Sequence, residues 1–459
     1  MPGKTNNSTH NLVDGSIQQS LIRMTMPMII GMLMLFTFSL VDTWFISFLG
    51  TEALTAISFT FPVTFFVMSL AIGLGIGASA VVGKFLGASH HKKAKDAATV
   101  INYISFVLAC ITVTICWTFI DEIFGLMGAS ERLLVPIREY MEVWFAGSIL
   151  MVCIMTGNSV LRACGDTKTP SILMAGAGFI NAVLDPLLIF GIGPFPELGI
   201  QGAAWATVIA WTIGFTYLFY LLVFKVEMVS RSIPSRSVMK ASGEDMLRIG
   251  IPAAGANMMT PLAAGIMTAI AAGFGDTAVA AFGVGARKEP IATLLVLAMS
   301  SSLPPIISQN FGATRIDRVE EAYRISIKFI LGWQLIVYTL LVIGAGLIAS
   351  FFSDDPEVIS AIRLFIWIMP VGYGLQGIII LTNSSLNALH KPLSALYLSI
   401  ARFFVFYVPL AYVGSVYYGL FGFFAGAVCG NFLMAMISWH TFNRAISGEH
   451  RLRKETVEA

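Results

Sequence analysis

The chain has 459 residues, of which 56% are hydrophobic and only 12% charged, with a formal net charge of +2. A soluble protein of this length carries about a quarter charged residues, so the composition excludes a water-soluble domain and points to an all-α polytopic membrane protein. The near balance of charge leaves no electrostatic footprint for nucleic acid, and the chain holds no phosphate-cradling Walker A motif for ATP hydrolysis.

Taken in chain order, residues 1–20 are polar and lack the apolar core of a cleavable signal peptide, so they are expected to form a cytoplasmic N-terminus. Apolar runs of about 20 residues or more then mark about twelve spans. They fall at 21–49, 53–82, 97–120, 134–161, 169–193, 200–225, 246–274, 278–308, 322–350, 357–385, 393–416 and 420–443. The domain organisation that follows is a first lobe at 21–225, a polar cytoplasmic linker at 226–245, a second lobe at 246–443 and a cytoplasmic tail at 444–459.

The loops alternate in charge. Lys84, Lys92, Lys93 and Lys95 follow the second span, and Arg162 and Lys168 the fourth. Lys225, Arg231, Arg236, Lys240 and Arg248 surround the linker, and Arg315, Arg318 and Lys391 follow spans eight and ten. The opposite loops, GTEA, GIGPFPELGIQG, FGDT and FSDDPE, are nearly free of Lys and Arg. Basic loops stay in the cytoplasm, which predicts an even number of spans, both termini cytoplasmic and residence in the cell's inner membrane. The five cysteines, Cys110, Cys116, Cys153, Cys164 and Cys429, show neither a disulfide framework nor metal-ligand spacing.

The chain also repeats itself. The offset that carries Pro27 onto Pro252 also pairs Gly50 with Gly275, Gly87 with Gly312, Arg138 with Arg363, and Asn158-Ser159 with Asn383-Ser384. Each half holds six spans and therefore enters the membrane from the same side, which predicts two parallel six-helix repeats.

Asp42 is the one formal charge in Pro27–Gly50. A carboxylate at such a depth costs roughly 2.5–3.5 kcal/mol on insertion scales and commonly marks an ion path. Asp185 and Asn181 are four apart and share a helix face. By rise per residue, Asp42, Asp185 and Thr207 all lie roughly 10–12 Å below the extracellular surface. Their repeat counterparts are Met267 for Asp42, Phe404 for Asn181, Val408 for Asp185 and Ala427 for Thr207, so every polar member is apolar in the second half. A polar set kept in one lobe alone points to function rather than folding. Two like carboxylates in a low dielectric do not both ionise easily, so such a pair suits proton exchange. The same oxygens suit Na⁺, a hard cation.

These residues carry a resemblance. PMIIGMLMLFTFSLVDTWFISFLGTEALTA resembles the first helix of the multidrug and toxic compound extrusion (MATE) family; VLRACGDTKTP, NAVLDPLLIFG and LGIQGAAWATVIA resemble its fourth to sixth helices, and GARKEPI its eighth. The Asp in the first helix is similar to that of the DinF-like branch. The resemblance implies the MATE fold, ion coupling at Asp42, Asp185, Asn181 and Thr207, and a first-helix bend at Pro27. The seventh helix lacks the Glu of the NorM-type branch, which speaks against a cation site of that kind in the second lobe.

The reading is a secondary active antiporter, not an enzyme, that exports small hydrophobic or cationic drugs against H⁺ or Na⁺ by alternating access. Drug is expected in a central cleft between the lobes, with no cofactor, a lipid environment and a monomeric state. Asn158, Met34 and Phe38 are candidates for the substrate path. Arg287, Lys288, Glu289 and Arg402 form an intramembrane charged cluster, either an ion-pair network holding the second lobe or a second charged lining. Gly73, Gly75 and Gly77 are read as close helix packing rather than a nucleotide fingerprint, because no strand precedes them. Two alternatives are a lipid-linked oligosaccharide flippase of the related superfamily and an intramembrane enzyme. Against the second, the six histidines all sit in termini, loops or near span ends.

Overall fold

The computed structural model describes residues 11–230 and 234–458, and every regular element in it is helical. An apolar chain in lipid has no water to satisfy its backbone, so each crossing closes its own hydrogen bonds as a helix. In order these are α1 (Ile17–Ser47), α2 (Thr51–Gly87), α3 (His91–Thr118), the short α4 (Ile120–Leu126), α5 (Glu131–Ala163), α6 (Lys168–Ile189) and α7 (Gly199–Tyr220), which runs into a π-turn at Leu221–Lys225. The second half holds α8 (Arg236–Ala272), α9 (Asp276–Ala292), α10 (Leu294–Gly312), α11 (Ile316–Ile343), the short α12 (Ala345–Phe352), α13 (Pro356–Ile368), α14 (Val371–Ala388) and α15 (Pro392–Ile400). A π-helix at Ala401–Tyr407 then leads into α16 (Val408–Glu458).

Among the described residues, α1, α2, α3, α5, α6, α7, α8 and α11 are each long and apolar enough to cross a membrane unbroken. Two expected single spans are bent pairs instead, α9 with α10 at 44° and α13 with α14 at 48°. The segment from Pro392 to Arg451 folds into two, because Tyr418 and Gly419 leave helical geometry, with Gly419 at φ 60. Only a residue without a Cβ adopts that turn without strain. The returning arm then packs so closely that a Cβ on Gly430 would lie 2.8 Å from the Cα of Tyr407. Among the described residues the total is twelve crossings.

The backbone repeats with the same offset as the sequence. Left-handed conformations occur at Gly50 and Gly275, at Ser89 and Thr314, and at Gly165 and His390, each pair separated as Pro27 is from Pro252. The short helices α4 and α12 keep the offset as well, beginning at Ile120 and Ala345.

Two compact units result, but their boundaries are not those expected from polarity. Unit one is Met26–Ala254 with the segment up to Asp14; unit two is Gly15–Thr25 with Gly255 onward. The expected linker at 226–245 is helical from Arg236, while Arg231 lies outside the described residues. The cause is packing. A Cβ on Gly77 would lie 2.6 Å from the carbonyl oxygen of Met246, and Gly73 abuts Gly250 and Ala254, so the first half of α8 is locked onto α2. Gly75 meets Ser159 of α5 in the same way, as the close-packing reading of the three glycines anticipated. The start of α1 instead belongs to unit two, where the Thr25 and Ser302 hydroxyls are 2.7 Å apart and Arg318 Nη1 donates to the Gly15 carbonyl at 3.0 Å. Pro27 and Pro252 thus sit beside two of the three points where the chain passes between units.

The segment at 444–459, expected as a polar tail, continues α16 as helix through Glu458. Lys391 anchors it, with its Nζ 3.0 Å from Glu449 Oε1 and donating to the Ala445 carbonyl at 3.1 Å.

The charge pattern predicts a sidedness that can be measured. In a cysteine-free background, Glu197→Cys and Asp355→Cys should react with an impermeant maleimide added to intact cells, and Lys240→Cys should react only after the membrane is opened. Labelling of Lys240→Cys from outside would reverse the topology.

Candidate functional site

Unit one gathers polar side chains from four of its helices. Asp42 comes from α1, Tyr140 from α5, Asn181 and Asp185 from α6, and Thr207 from α7. Asn181 and Asp185 lie one turn apart, as their spacing required, and Asn181 Nδ2 donates to Asp185 Oδ1 at 3.1 Å. The same amide donates to Thr207 Oγ1 at 3.2 Å, and the Thr207 hydroxyl passes the chain on to the Ala203 carbonyl at 3.1 Å. Asp185 is fully buried. Pro186 follows it inside α6. A proline has no N–H, so the Ala182 carbonyl one turn back loses its usual helical partner beside the site.

The Asp42 and Asp185 side chains stand within hydrogen-bonding contact of each other. Neither carboxylate has an N–H or O–H when ionised, so a hydrogen bond between them exists only when the pair holds a proton. Asp42 Oδ1 and Asp185 Oδ2 are buried and have no partner among the described residues. Unpaired buried oxygens of this kind are costly unless something carrying positive charge or a proton meets them.

Tyr140 completes the set, and sequence reasoning missed it. It is buried and within electrostatic reach of both carboxylates. The available signal was depth: Tyr140 lies nine residues inside α5 from Glu131, about 13 Å, the level already assigned to Asp42 and Asp185. Its counterpart in the repeat is Phe365.

The matching place in unit two is apolar throughout. Met267, Phe365 and Ala427 are buried in one hydrophobic cluster, with Val408 packed against it, where unit one has Asp42, Tyr140, Thr207 and Asp185. Phe404, the counterpart of Asn181, is partly exposed on the surface.

The other expected site residues fall elsewhere. Phe38 is a packing residue: its ring lies against Gly178 and meets Phe179 edge-on at 6.4 Å between centroids, fastening α1 to α6. Met34 is exposed. Asn158 is buried with its Oδ1 unpartnered among the described residues, but it lies 18 residues along α5 from Tyr140, about 27 Å down the helix axis. Pro27 lies inside an unbroken α1, where its missing N–H frees the carbonyl of Arg23.

Of the unit-two charged cluster, expected as an ion-pair network or a second charged lining, the described side chains make hydrogen bonds and a ring contact. Glu289 Oε1 accepts from Gln376 Nε2 at 2.8 Å, Arg402 Nε donates to Asn431 Oδ1 at 3.1 Å, and Lys288 Nζ lies 4.3 Å from the Phe352 ring centre. Among the described residues, Glu289, Arg402 and Lys288 each meet a neutral partner, because the neighbouring helices present amides and a ring at contact distance. The side chain of Arg287 lies outside the described residues.

Comparison with known proteins adds a family. The MatE family model matches residues 27–187 and again 252–413, once in each repeat. The chain is 41% identical to an FAD transporter from Shewanella oneidensis over 435 residues, covering 95% of this chain and 96% of that protein. It is 26% identical to the multidrug export protein MepA from Staphylococcus haemolyticus over 439 residues, covering 94% and 95% of the two chains. Among solved structures, that of the Vibrio cholerae MATE transporter VcmN in the bent form superposes with a TM-score of 0.90 at 32% identity, covering 94% of this chain and 98% of that one. An outward-facing multidrug resistance MATE family transporter superposes equally well, at 0.90 and 26% identity, over 98% of this chain and 100% of that one.

A proton held between the two carboxyls has a chemical signature. Dicyclohexylcarbodiimide, an apolar reagent that attacks protonated carboxyls, should modify the Asp42 or Asp185 peptide of the purified protein, with less label as pH rises. Peptide mass spectrometry showing no modification at either residue across pH 5 to 9 would refute a shared proton.

Proposed function

Because the chain belongs to the MATE family of membrane transporters, we propose that it is a secondary active exporter in which protons entering through unit one drive substrate out. The observation that carries this reading is the contact between Asp42 and Asp185, with two buried oxygens left unpartnered. In this proposal the cell's inner membrane holds the protein with both termini in the cytoplasm, following the basic loops. Asn181, Thr207 and Tyr140 hold the carboxyl pair in place.

The arrangement favours H⁺ over Na⁺ as the coupling ion. Asn181 presents its N–H₂ to Asp185 and Thr207, and a cation would need the carbonyl end of that amide instead. A proton needs only the two carboxyls already in contact. On this reading the empty pair carries negative charge and favours the substrate-holding state. Protonation removes the repulsion, lets α1 close on α6, and α1 yields near Pro27, where a backbone hydrogen bond is already missing. Release of the proton to the cytoplasm resets the cycle.

For substrate, the 41% identity to an FAD transporter over nearly the full chain supports FAD as the exported molecule. Export of hydrophobic or cationic drugs is the second reading, supported by the MepA relatives. FAD carries an anionic pyrophosphate and an aromatic flavin, so the two readings differ in the sign of the charge carried.

The asymmetry between the units gives the first test. Asp42→Asn and Asp185→Asn should each abolish proton-driven FAD uptake into everted vesicles at equal expression, whereas Met267→Leu and Val408→Ile should leave it intact. Normal export in either Asp variant would remove the coupling role. Export of ethidium but not FAD by the wild type would decide for the drug reading.

Linkage fixes the sign of the pH dependence. Proton and substrate weaken each other's binding, so FAD affinity in Na⁺-free detergent should fall as pH falls from 9 to 5, by up to about tenfold per pH unit where one proton is exchanged. Asp42→Asn should flatten the curve. A wild-type affinity constant across that range would reject proton coupling.

A further inference from the structure

Unit two contains a second buried polar group that the carboxylate pair does not use. Arg402 is only 7% exposed. Of its five N–H donors, Nε is taken by Asn431 at 3.1 Å, and its guanidinium carbon lies 4.7 Å from the Phe403 ring centre. The terminal amino groups have no hydrogen-bond partner among the described residues. Glu289 is within electrostatic reach, yet its Oε1 accepts from Gln376 instead. These amino groups are not among the buried unpartnered atoms and so reach accessible space, where a planar anion with two oxygens is the ligand that fits their fork.

The backbone around Arg402 is built differently from the rest of the bundle. Residues Ala401–Tyr407 form a π-helix, and the Val408 N–H reaches back five residues to the Phe403 carbonyl. Wider turns of this kind recur at functional sites, and the five-residue repeat brings Arg402 and Tyr407 nearer to one face than an α-turn would. Glu289 precedes the bend between α9 and α10, and Gln376 and Tyr373 follow the bend between α13 and α14. Tyr373 is buried, and it and Tyr407 lie within electrostatic reach of Glu289 and of each other. Two broken helices and one π-helix therefore deliver this group, in the manner of transporters whose ligand sites lie at interrupted helices. Glu289 is the described charge within electrostatic reach of Arg402, and its Oε1 is already taken by Gln376.

We propose that unit two holds an oxyanion site centred on the Arg402 guanidinium, with the Tyr407 and Tyr373 hydroxyls as further donors, that takes a phosphate group. Its cargo assignment rests on the flavin reading above: the pyrophosphate of FAD would sit here, while the proton is bound in unit one. The site itself does not depend on that reading, because an anionic lipid headgroup presents the same chemistry.

The probe is inorganic pyrophosphate, titrated calorimetrically against the purified full-length chain in Na⁺-free detergent. The wild type should bind it; Arg402→Gln should weaken binding about tenfold or more, and Arg402→Lys, which keeps charge without the fork, should fall between. Where Arg402→Gln elutes as aggregate on size exclusion, Tyr407→Phe replaces it and should weaken binding while leaving the charge in place. Competition then separates the sources: displacement by FAD but not by riboflavin, which lacks phosphate, assigns the cargo, and displacement by short-chain phosphatidylglycerol alone assigns the lipid. Absence of pyrophosphate binding to the wild type, or equal binding by wild type and every soluble variant, overturns the site. Pyrophosphate binding through Arg402 in a protein that does not export FAD would sink the flavin reading and leave the site standing.

Discussion

A carboxylate taken out of water must find a proton or a positive charge, and unit one is arranged around that demand. Asp42 and Asp185 come from different helices and meet where each is the other's partner. In the proposed cycle the pair is neutral in one state and charged in the other. Because a packed core does not deform smoothly, that change of charge would select between two helix arrangements. Asn181 ties Asp185 to Thr207 by hydrogen bonds, and Tyr140 lies within electrostatic reach of both carboxyls.

The same demand explains why the two units differ inside a common backbone. Their left-handed residues and short helices recur at one offset, so the scaffold is shared. Unit two fills the equivalent place with Met267, Phe365, Val408 and Ala427, which need no partner. Its own buried charges stand elsewhere, on the π-helix of Arg402 and beside the bends near Glu289 and Gln376. The repeat therefore acts as an internal control: what both halves keep builds the shared fold, and the buried polar set is kept by one half alone.

The passage of the chain between units follows from small residues. Gly73 and Gly77 let α8 approach α2 so closely that the first half of α8 becomes part of unit one. Hydrogen bonds with Ser302 and Arg318 hold the start of α1 in unit two. Pro27 and Pro252 mark two of the three crossover points, where a helix short of one backbone bond bends at least cost.

Much was legible in the sequence by itself. Hydrophobic runs fixed the twelve crossings because lipid admits no unsatisfied backbone. The constant offset between Pro27 and Pro252 fixed the repeat, because equivalent turns must recur where equivalent residues do. Asn181 and Asp185 could be placed on one face, and Asp42 and Thr207 at their depth, because the helical rise is constant. Rotation about a helix axis and contact across helices are not written in any local spacing, and only the tertiary structure decided them. It turned Phe38 onto Gly178 as a packing residue, brought Tyr140 to the carboxylates, gave Glu289 and Arg402 neutral partners in place of each other, and moved the unit boundary into α8. Each of these depends on which side chains neighbouring helices present to one another, a property of the packed bundle rather than of any single stretch of chain.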